Sequence, residues 1–458
     1  MSNVQEYIDR NIKNFENELF DLLRIPSVST DSKRKGDVKQ AAEFLVNQLQ
    51  KIGLDNVTLH ETVGHPIITA EKTSHNDRPT VLIYGHYDVQ PSDPDDLWET
   101  PPFEPTVKKG RVYARGASDD KGQSFIHVKA IESYLQSGTE IPVNVKFILE
   151  GEEEIGSPNL IPFIKENKEL LKCDMVLISD TAMFGEDQPS ITYGLRGLAY
   201  MEIHVKGPNR DLHSGIYGGT VENPANVLCD MIAKMKDKDG VIQVDGFYDD
   251  VEPLTDEMRE AYEILPFDEV EYKKSLNLKA VHGEQGYGTH ERSSARPTLD
   301  VNGLWSGYQG EGAKTVLPAK ASAKVSMRLV PNQDPNKISE LFKKYVYSIA
   351  PDTVEVNVIS HHGGYPVVID MDFYGLKAAA KAFEDIYQKE VLFTREGGSI
   401  PIVSDFKKVL GVNSILMGFG LTKDALHSPN ESFSLKDFHR GIKTSARFFE
   451  VLTDFVEE

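Results

Sequence analysis

His86 and Asp88 stand two places apart at the end of the apolar run "VLIYG", an imidazole with a carboxylate behind it. Asp119 and Asp120 occupy "ARGASDDKG", just ahead of a segment with helical periodicity. Glutamates crowd "EGEEEIGS", Glu150 to Glu154, after the apolar "VNVKFIL". Asp180 follows "MVLIS", and His427 lies in "DALHSPN", beyond the apolar stretch Ser414–Met417. Singly, each has an ordinary structural role: Asp119 suits a helix N-cap, the glutamates suit a solvated loop, and a lone histidine is most often a packing or surface residue. Together, two imidazoles and several carboxylates at strand ends and a helix start suit Zn²⁺, Mn²⁺ or Co²⁺. Cys173 and Cys229 are the only thiols, which argues against Cys-based zinc sites and a disulfide framework. Asp119, Asp180 and one glutamate bring three negative charges. One dication leaves them repelling, whereas two with a bridging hydroxide bring the cluster near neutrality. Paired ions roughly 3.5–4 Å apart make hydroxide available near neutral pH, so a binuclear hydrolase is the natural chemistry.

Such groups meet only if the elements carrying them end at one place. Val81–Tyr84, Val143–Leu149, Met175–Ser179 and Ser414–Met417 read as short buried strands. Helical patterns lie at Val4–Leu23, Gln123–Leu135, Phe373–Tyr387 and Leu435–Phe455. Strands alternating with helices predict an α/β domain on a mostly parallel sheet with helices on both faces, and ligands then gather beyond the carboxyl ends of the strands. From "ITYGLRGLAYMEIHVKGP" the pattern changes. Ala199–Val205 alternates, helices are expected at Pro224–Met235 and Pro335–Tyr347, and "AKASAKVSMRLVP" and "TVEVNVI" supply further strands. This is the signature of an inserted two-layer α+β domain, with Gly363, Gly364 and Pro366 as its hinge. The expected division is 1–194 with 364–458 against 195–363.

The balance of 50 basic against 71 acidic residues, a formal charge of −21, disfavours nucleic acid and anionic membranes as partners. No run approaches the roughly 18 apolar residues of a membrane span, and "MSNVQEYIDRNIKNF" lacks the order of a secretory signal. A cytoplasmic protein is expected. The acidic stretch Asp249–Glu271 reads as a solvated helical surface.

The strings "GHYDVQP", "RGASDDKG", "EGEEEIGS", "DLHSG", "GAKTVLPAKA", "MRLVPN", "GGSIP" and "LHSPNE" follow one another in order over nearly the whole chain. In this the chain resembles the binuclear metallopeptidases that include carnosinases, cytosolic non-specific dipeptidases, aminoacylases and acetylornithine deacetylases, and it is most similar to the carnosinase-like branch. The resemblance implies that His86, Asp119 and Asp180 hold one ion and Asp119, Glu154 and His427 the other, with Asp119 bridging. It makes Glu153 the general base, which takes a proton from the bridging water and hands it to the leaving amine, and leaves Glu152 to solvent. "GEEEI" alone does not say which glutamate is base and which is ligand. The resemblance assigns Asp88 to orienting His86, as two residues on one side of an extended segment allow, and implies a cis peptide at Asp119–Asp120. It makes the inserted domain a lid and dimerisation element, with His213 reaching a partner's substrate carbonyl and Thr315, Arg328 and Ser399 binding the substrate end. A guanidinium fork suits a carboxylate.

The function expected is a two-metal dipeptidase, with Zn²⁺ or Mn²⁺, acting as a homodimer on short peptides with a free C-terminal carboxylate. An N-acyl amino acid deacylase keeps the chemistry and changes the substrate. A non-catalytic metal-binding or scaffold relative is the alternative of a different class.

Overall fold

The computed structural model describes residues 3–398 and 400–456, the side chain of His362 apart. The chain forms two compact units, Met1–Tyr193 with Ile369–Thr394 and Asp405–Glu458, and Gly194–Val368 with Arg395–Ser404. Gly194, residues 364–368 and residues 395–404, expected with the first domain, thus cluster with the second unit.

The first unit is built on a nine-stranded sheet whose strands include β1 (Asp55–His60), β2 (Ile67–Lys72), β3 (Thr80–His86), β4 (Asn144–Glu150), β5 (Met175–Ile178), β6 (Ser190–Leu195) and β7 (Asn413–Leu416). They lie in the order β1-β2-β4-β3-β5-β7-β6. The central pairs β4–β3, β3–β5 and β5–β7 are parallel. Every residue of β5, and every residue of β3 after Thr80, is buried, which is why these strands read as unbroken apolar runs. The sheet as a whole is mixed rather than mostly parallel, because β1–β2, β2–β4 and β7–β6 are antiparallel. The reason is local: β1 and β2 are joined by residues 61–66, too short for the crossover that parallel neighbours require. Their sequences "DNVTLH" and "IITAEK" lack the continuous apolar run by which the central strands announce themselves.

Helix Lys121–Gln136 is buried from Lys121 through Tyr134. It packs on β3 and against helices Asn3–Leu23, Lys35–Ile52 and Leu435–Val456. Its start, immediately after Asp119 and Asp120, is therefore pinned in the interior. Among the described residues no helix is long and apolar enough to cross a membrane.

The second unit holds an antiparallel sheet in the order Thr298–Ser306, Lys320–Leu329, Gly197–Lys206, Glu355–Gly364. Gly197–Lys206 alternates buried and part-exposed positions along almost its whole length. Helices Pro224–Lys234 and Pro335–Ile349 pack Leu228, Met231, Ile338 and Phe342 on its apolar face. Asn223 and Asp334 cap them from the side chain, each just before a proline in the first turn. Gly363 and Gly364, expected as a hinge, are strand residues opposite Ala199 and Leu198. A Cβ on Gly363 would lie 2.7 Å from the Leu198 carbonyl oxygen, so close strand approach accounts for glycine there. Helices Asp256–Ile264 and Glu269–Ser275 bury no residue, as the acidic composition suggested.

Candidate metal centre

Parallel register brings the carriers of the site to one rim. His86 ends β3 opposite Glu150 at the end of β4, and Tyr84 and Leu416 both face Ile178 at the end of β5. Chain leaving those ends reaches Glu153 and Glu154, Asp180 and His427. Asp119 comes from the loop before helix Lys121–Gln136, and its peptide bond to Asp120 is cis.

Ligand atoms of His86, Asp119 and Asp180 lie within 4.8 Å of one another, and so do those of Asp119, Glu154 and His427. Asp119 belongs to both groups. Its Oδ1 is 3.2 Å from His86 Nε2 and its Oδ2 is 2.9 Å from His427 Nε2. Asp180 Oδ2 stands 3.9 Å from His86 Nε2, and Glu154 Oε2 3.4 Å from His427 Nε2. His86 Nε2 is buried without a hydrogen-bond partner of good geometry, although it faces two carboxylates. A buried nitrogen directed at acid groups it does not bond suits a cation held between them.

The electrostatics agree. Burial, then the charge of Asp119, pushes Glu154 up to about 8 and Asp180 well above the usual carboxylate range. The bond to Asp119 draws His427 up to about 8. Burial works against charge on His86, but its contacts with Asp119 and Asp88 raise it well above an ordinary imidazole. Burial likewise opposes ionisation of Asp119, yet His427 and His86 hold it below its usual value. The cluster is short of positive charge, and protons serve where cations fit. Imidazole and carboxylate donors of this kind suit two divalent ions.

Glu153 belongs to neither ligand group. It opens a single 3₁₀ turn, Glu153–Ile155, whose position Asp88 sets: Asp88 Oδ1 accepts from the Glu153 amide (3.2 Å) and Oδ2 from the Glu154 amide (3.1 Å). Asp88 Oδ1 is also 3.4 Å from His86 Nδ1, while the Asp88 carbonyl oxygen is 3.2 Å from the same nitrogen. One fully buried carboxylate thus links the strand-end imidazole to the acidic turn. Burial raises Glu153 above the ordinary glutamate range, with Asp119 and Asp88 adding to it against the pull of His86.

Glu152, expected in solvent, is buried instead. Its carboxylate accepts from the His65 amide and from the backbone and side-chain nitrogens of Asn159, an anchor for the glutamate loop. Three further residues escaped the reading of the sequence. Glu431 accepts from the amides of Gly116, Ser118 and Asp119 and from Arg115 Nη1. Gln90 Nε2 donates to Glu154 Oε2 at 2.6 Å. Gln123 Oε1 accepts from the amides of Phe419 and Gly420. Glu431 and Gln90 stand inside "LHSPNE" and "DVQP", strings that carry the family resemblance but do not disclose these roles.

The other expected residues belong to the second unit. His213 is exposed, its Nδ1 accepting from the Gly215 amide at 3.0 Å. Strand Leu212–His213 pairs with Val316–Leu317, and the Ser214 amide donates to the Thr315 carbonyl at 3.1 Å, so His213 and Thr315 share one ribbon. Arg328 is half-buried on strand Lys320–Leu329, opposite Thr298. Ser399 lies outside the described residues.

Comparison with known proteins converges on one family. Residues 82–451 match peptidase family M20/M25/M40. The chain is 34% identical to the Cys-Gly metallodipeptidase dug1 of Schizosaccharomyces pombe, over 97% of this chain and 96% of that one. It is 32% identical to human Beta-Ala-His dipeptidase, over 84% and 77%. The crystal structure of human carnosine dipeptidase 1 superposes with a TM-score of 0.86 at 29% identity, covering 98% of each chain. With a matched region that takes in all five candidate ligands and most of the chain, the protein belongs to peptidase family M20/M25/M40.

Proposed function

We propose that this chain is a two-metal dipeptidase that hydrolyses the amide bond of short peptides bearing a free C-terminal carboxylate. The observation that carries the reading is the pair of ligand groups sharing Asp119, with Glu153 beside them and in neither. Two divalent ions, Zn²⁺ or Mn²⁺, supply there the charge that polarises a scissile carbonyl and the acidity that yields hydroxide near neutral pH. His86, Asp119 and Asp180 hold one, and Asp119, Glu154 and His427 the other.

The protein's own groups do the rest. Glu153 takes the proton of the attacking water and returns it to the leaving amine, a task its raised pKa suits. Asp88 fixes the ring of His86 through Nδ1 and sets the turn that carries Glu153. The second unit acts as lid and dimerisation element. His213, from a second copy of the chain, faces the oxygen on which negative charge develops, Thr315 and Arg328 bind the substrate's terminal carboxylate, and the loop of Ser399 contacts that end of the substrate. Named dipeptidases among the relatives favour peptides over N-acyl amino acids, and a filled ligand set with an adjacent glutamate disfavours a non-catalytic scaffold. The place of action is the cytoplasm.

The test is a panel of dipeptides against N-acetyl amino acids, assayed after chelation and reloading with Mn²⁺ or Zn²⁺, beside the variant E153Q. Dipeptides should turn over, and E153Q should lose turnover by about 10²-fold or more, as for a lost general base, while keeping both ions. Cleavage confined to N-acyl substrates overturns the substrate assignment, and an active E153Q overturns the role of Glu153.

A further inference from the structure

The second unit contains a cavity of about 470 Å³, a size typical of small-ligand sites (roughly 300–1,000 Å³). Arg196, Lys236, Arg292, Arg296 and Arg328 line it against only Glu284 and Asp300, an excess of three positive charges in a chain of net −21. The two acids are engaged. Glu284 takes Arg296 in a two-pronged pair at 2.7 and 2.8 Å, and Asp300 Oδ1 stands 3.7 Å from Lys236 Nζ.

The guanidinium of Arg292 is placed for use. Its stem passes so close to Gly283 that a Cβ there would lie 2.6 Å from Arg292 Cδ, and its Nε donates to the Glu284 carbonyl at 2.8 Å. Its terminal nitrogens have no acceptor among the described residues. On another wall Arg196 donates to the carbonyls of Gly397, Arg292 and Arg296, which holds a second guanidinium rigidly. Burial and the neighbouring Arg328 together pull Arg196 down to about 10. Cations gathered in a concave site repel one another unless an anion enters between them, and guanidinium forks match carboxylates in shape.

We infer that this cavity recognises a second carboxylate, so that the enzyme prefers dipeptides whose C-terminal residue is Asp or Glu. The inference rests on the dipeptidase reading, in which Arg328 receives the main-chain carboxylate. One such group does not balance three surplus charges, and the acidic side chain beside it supplies the next.

The experiment compares Ala-Glu with Ala-Gln, which differ in charge and hardly in shape. Wild type should give a kcat/KM ratio of tenfold or more in favour of Ala-Glu. R292M should bring that ratio toward one, and R292K should keep part of it. A wild-type ratio near one, or a ratio unmoved by R292M, overturns the inference and leaves the dipeptidase reading standing. If other dipeptides are cleaved and Ala-Glu is not, the inference fails; if no dipeptide is cleaved, the dipeptidase reading fails on its own. The cavity is tested independently by calorimetric titration of glutarate into the metal-loaded protein. Binding that R292M weakens about tenfold supports the cavity as a carboxylate site, and absent or unchanged binding overturns it.

Discussion

Replacing Glu431 by Gln is expected to damage the protein far more than a single-atom change suggests. Glu431 is fully buried and uses both oxygens twice. Oε1 accepts from the Ser118 (2.9 Å) and Asp119 (3.1 Å) amides, and Oε2 from the Gly116 amide (3.0 Å) and Arg115 Nη1 (2.8 Å). Four donors and no acceptor around one carboxyl require it to be ionised, although burial raises its pKa. In E431Q one oxygen becomes an NH₂ that confronts two donors whichever way the amide turns. Arg115, 1% exposed, then loses its counter-charge. Breaking a buried ion pair costs about 3–5 kcal/mol, and this sum contains the lost charge-assisted bonds of about 1.5–3 kcal/mol each. E431Q should therefore lose about 3–5 kcal/mol of stability, the range for one broken buried pair, measured by urea unfolding of metal-free protein. The loop held by Glu431 carries Asp119, the candidate ligand shared by both groups, so affinity for Mn²⁺ or Zn²⁺ should fall about 10–100-fold, as for other groups that orient metal ligands, in competition with a chromogenic chelator. A loss below about 1 kcal/mol, the worth of one ordinary hydrogen bond, with unchanged metal affinity refutes the reasoning.

Asp88 in D88N keeps its shape but loses one acceptor, so either the Glu153 or the Glu154 amide goes unpaired; metal affinity should drop about 10–100-fold by the same competition assay, and wild-type affinity refutes the linking role. Chelation should abolish peptide cleavage, and added Mn²⁺ or Zn²⁺ should restore it and raise the melting temperature, since ligands gathered only by the fold tie binding to folding; a melting temperature indifferent to both ions counts against the site. His127 is buried between Ser179 and Ser445, and burial pulls it down to about 3. Its native pKa is depressed below that of the unfolded chain, so its stabilising contribution is complete above about pH 6.5 and is lost as pH falls toward 3. Between pH 6 and 4 the wild type should lose up to about 1.4 kcal/mol per pH unit more than H127N, read from urea unfolding, and parallel slopes dismiss the effect.

What the sequence disclosed and what it hid divide along one physical line. His86 and Asp180 were legible as candidates because each sits where an apolar run stops, and Asp119 because a helix begins just after it, and parallel register carries those ends to one rim. His427 lies beyond a loop after its strand, and Glu154 was told from its neighbours only by the family resemblance. The central strands showed themselves by continuous burial, whereas β1 and β2, half exposed and antiparallel, did not, and the mixed character of the sheet was missed with them. Glu152 and Glu431 expose the deeper limit. A carboxylate in a polar string looks solvated, and only tertiary structure tells whether backbone amides surround it. Glu152 meets the His65 and Asn159 amides across 87 and seven positions of chain, and Glu431 meets Ser118 across 313. Such partners leave no periodicity to read, because a carboxylate that collects stray amides answers to the path of the loop and not to a repeating face. The candidate ligands follow largely from where strands end, while the groups that hold them follow from how loops cross, and a sequence records the first far more plainly than the second.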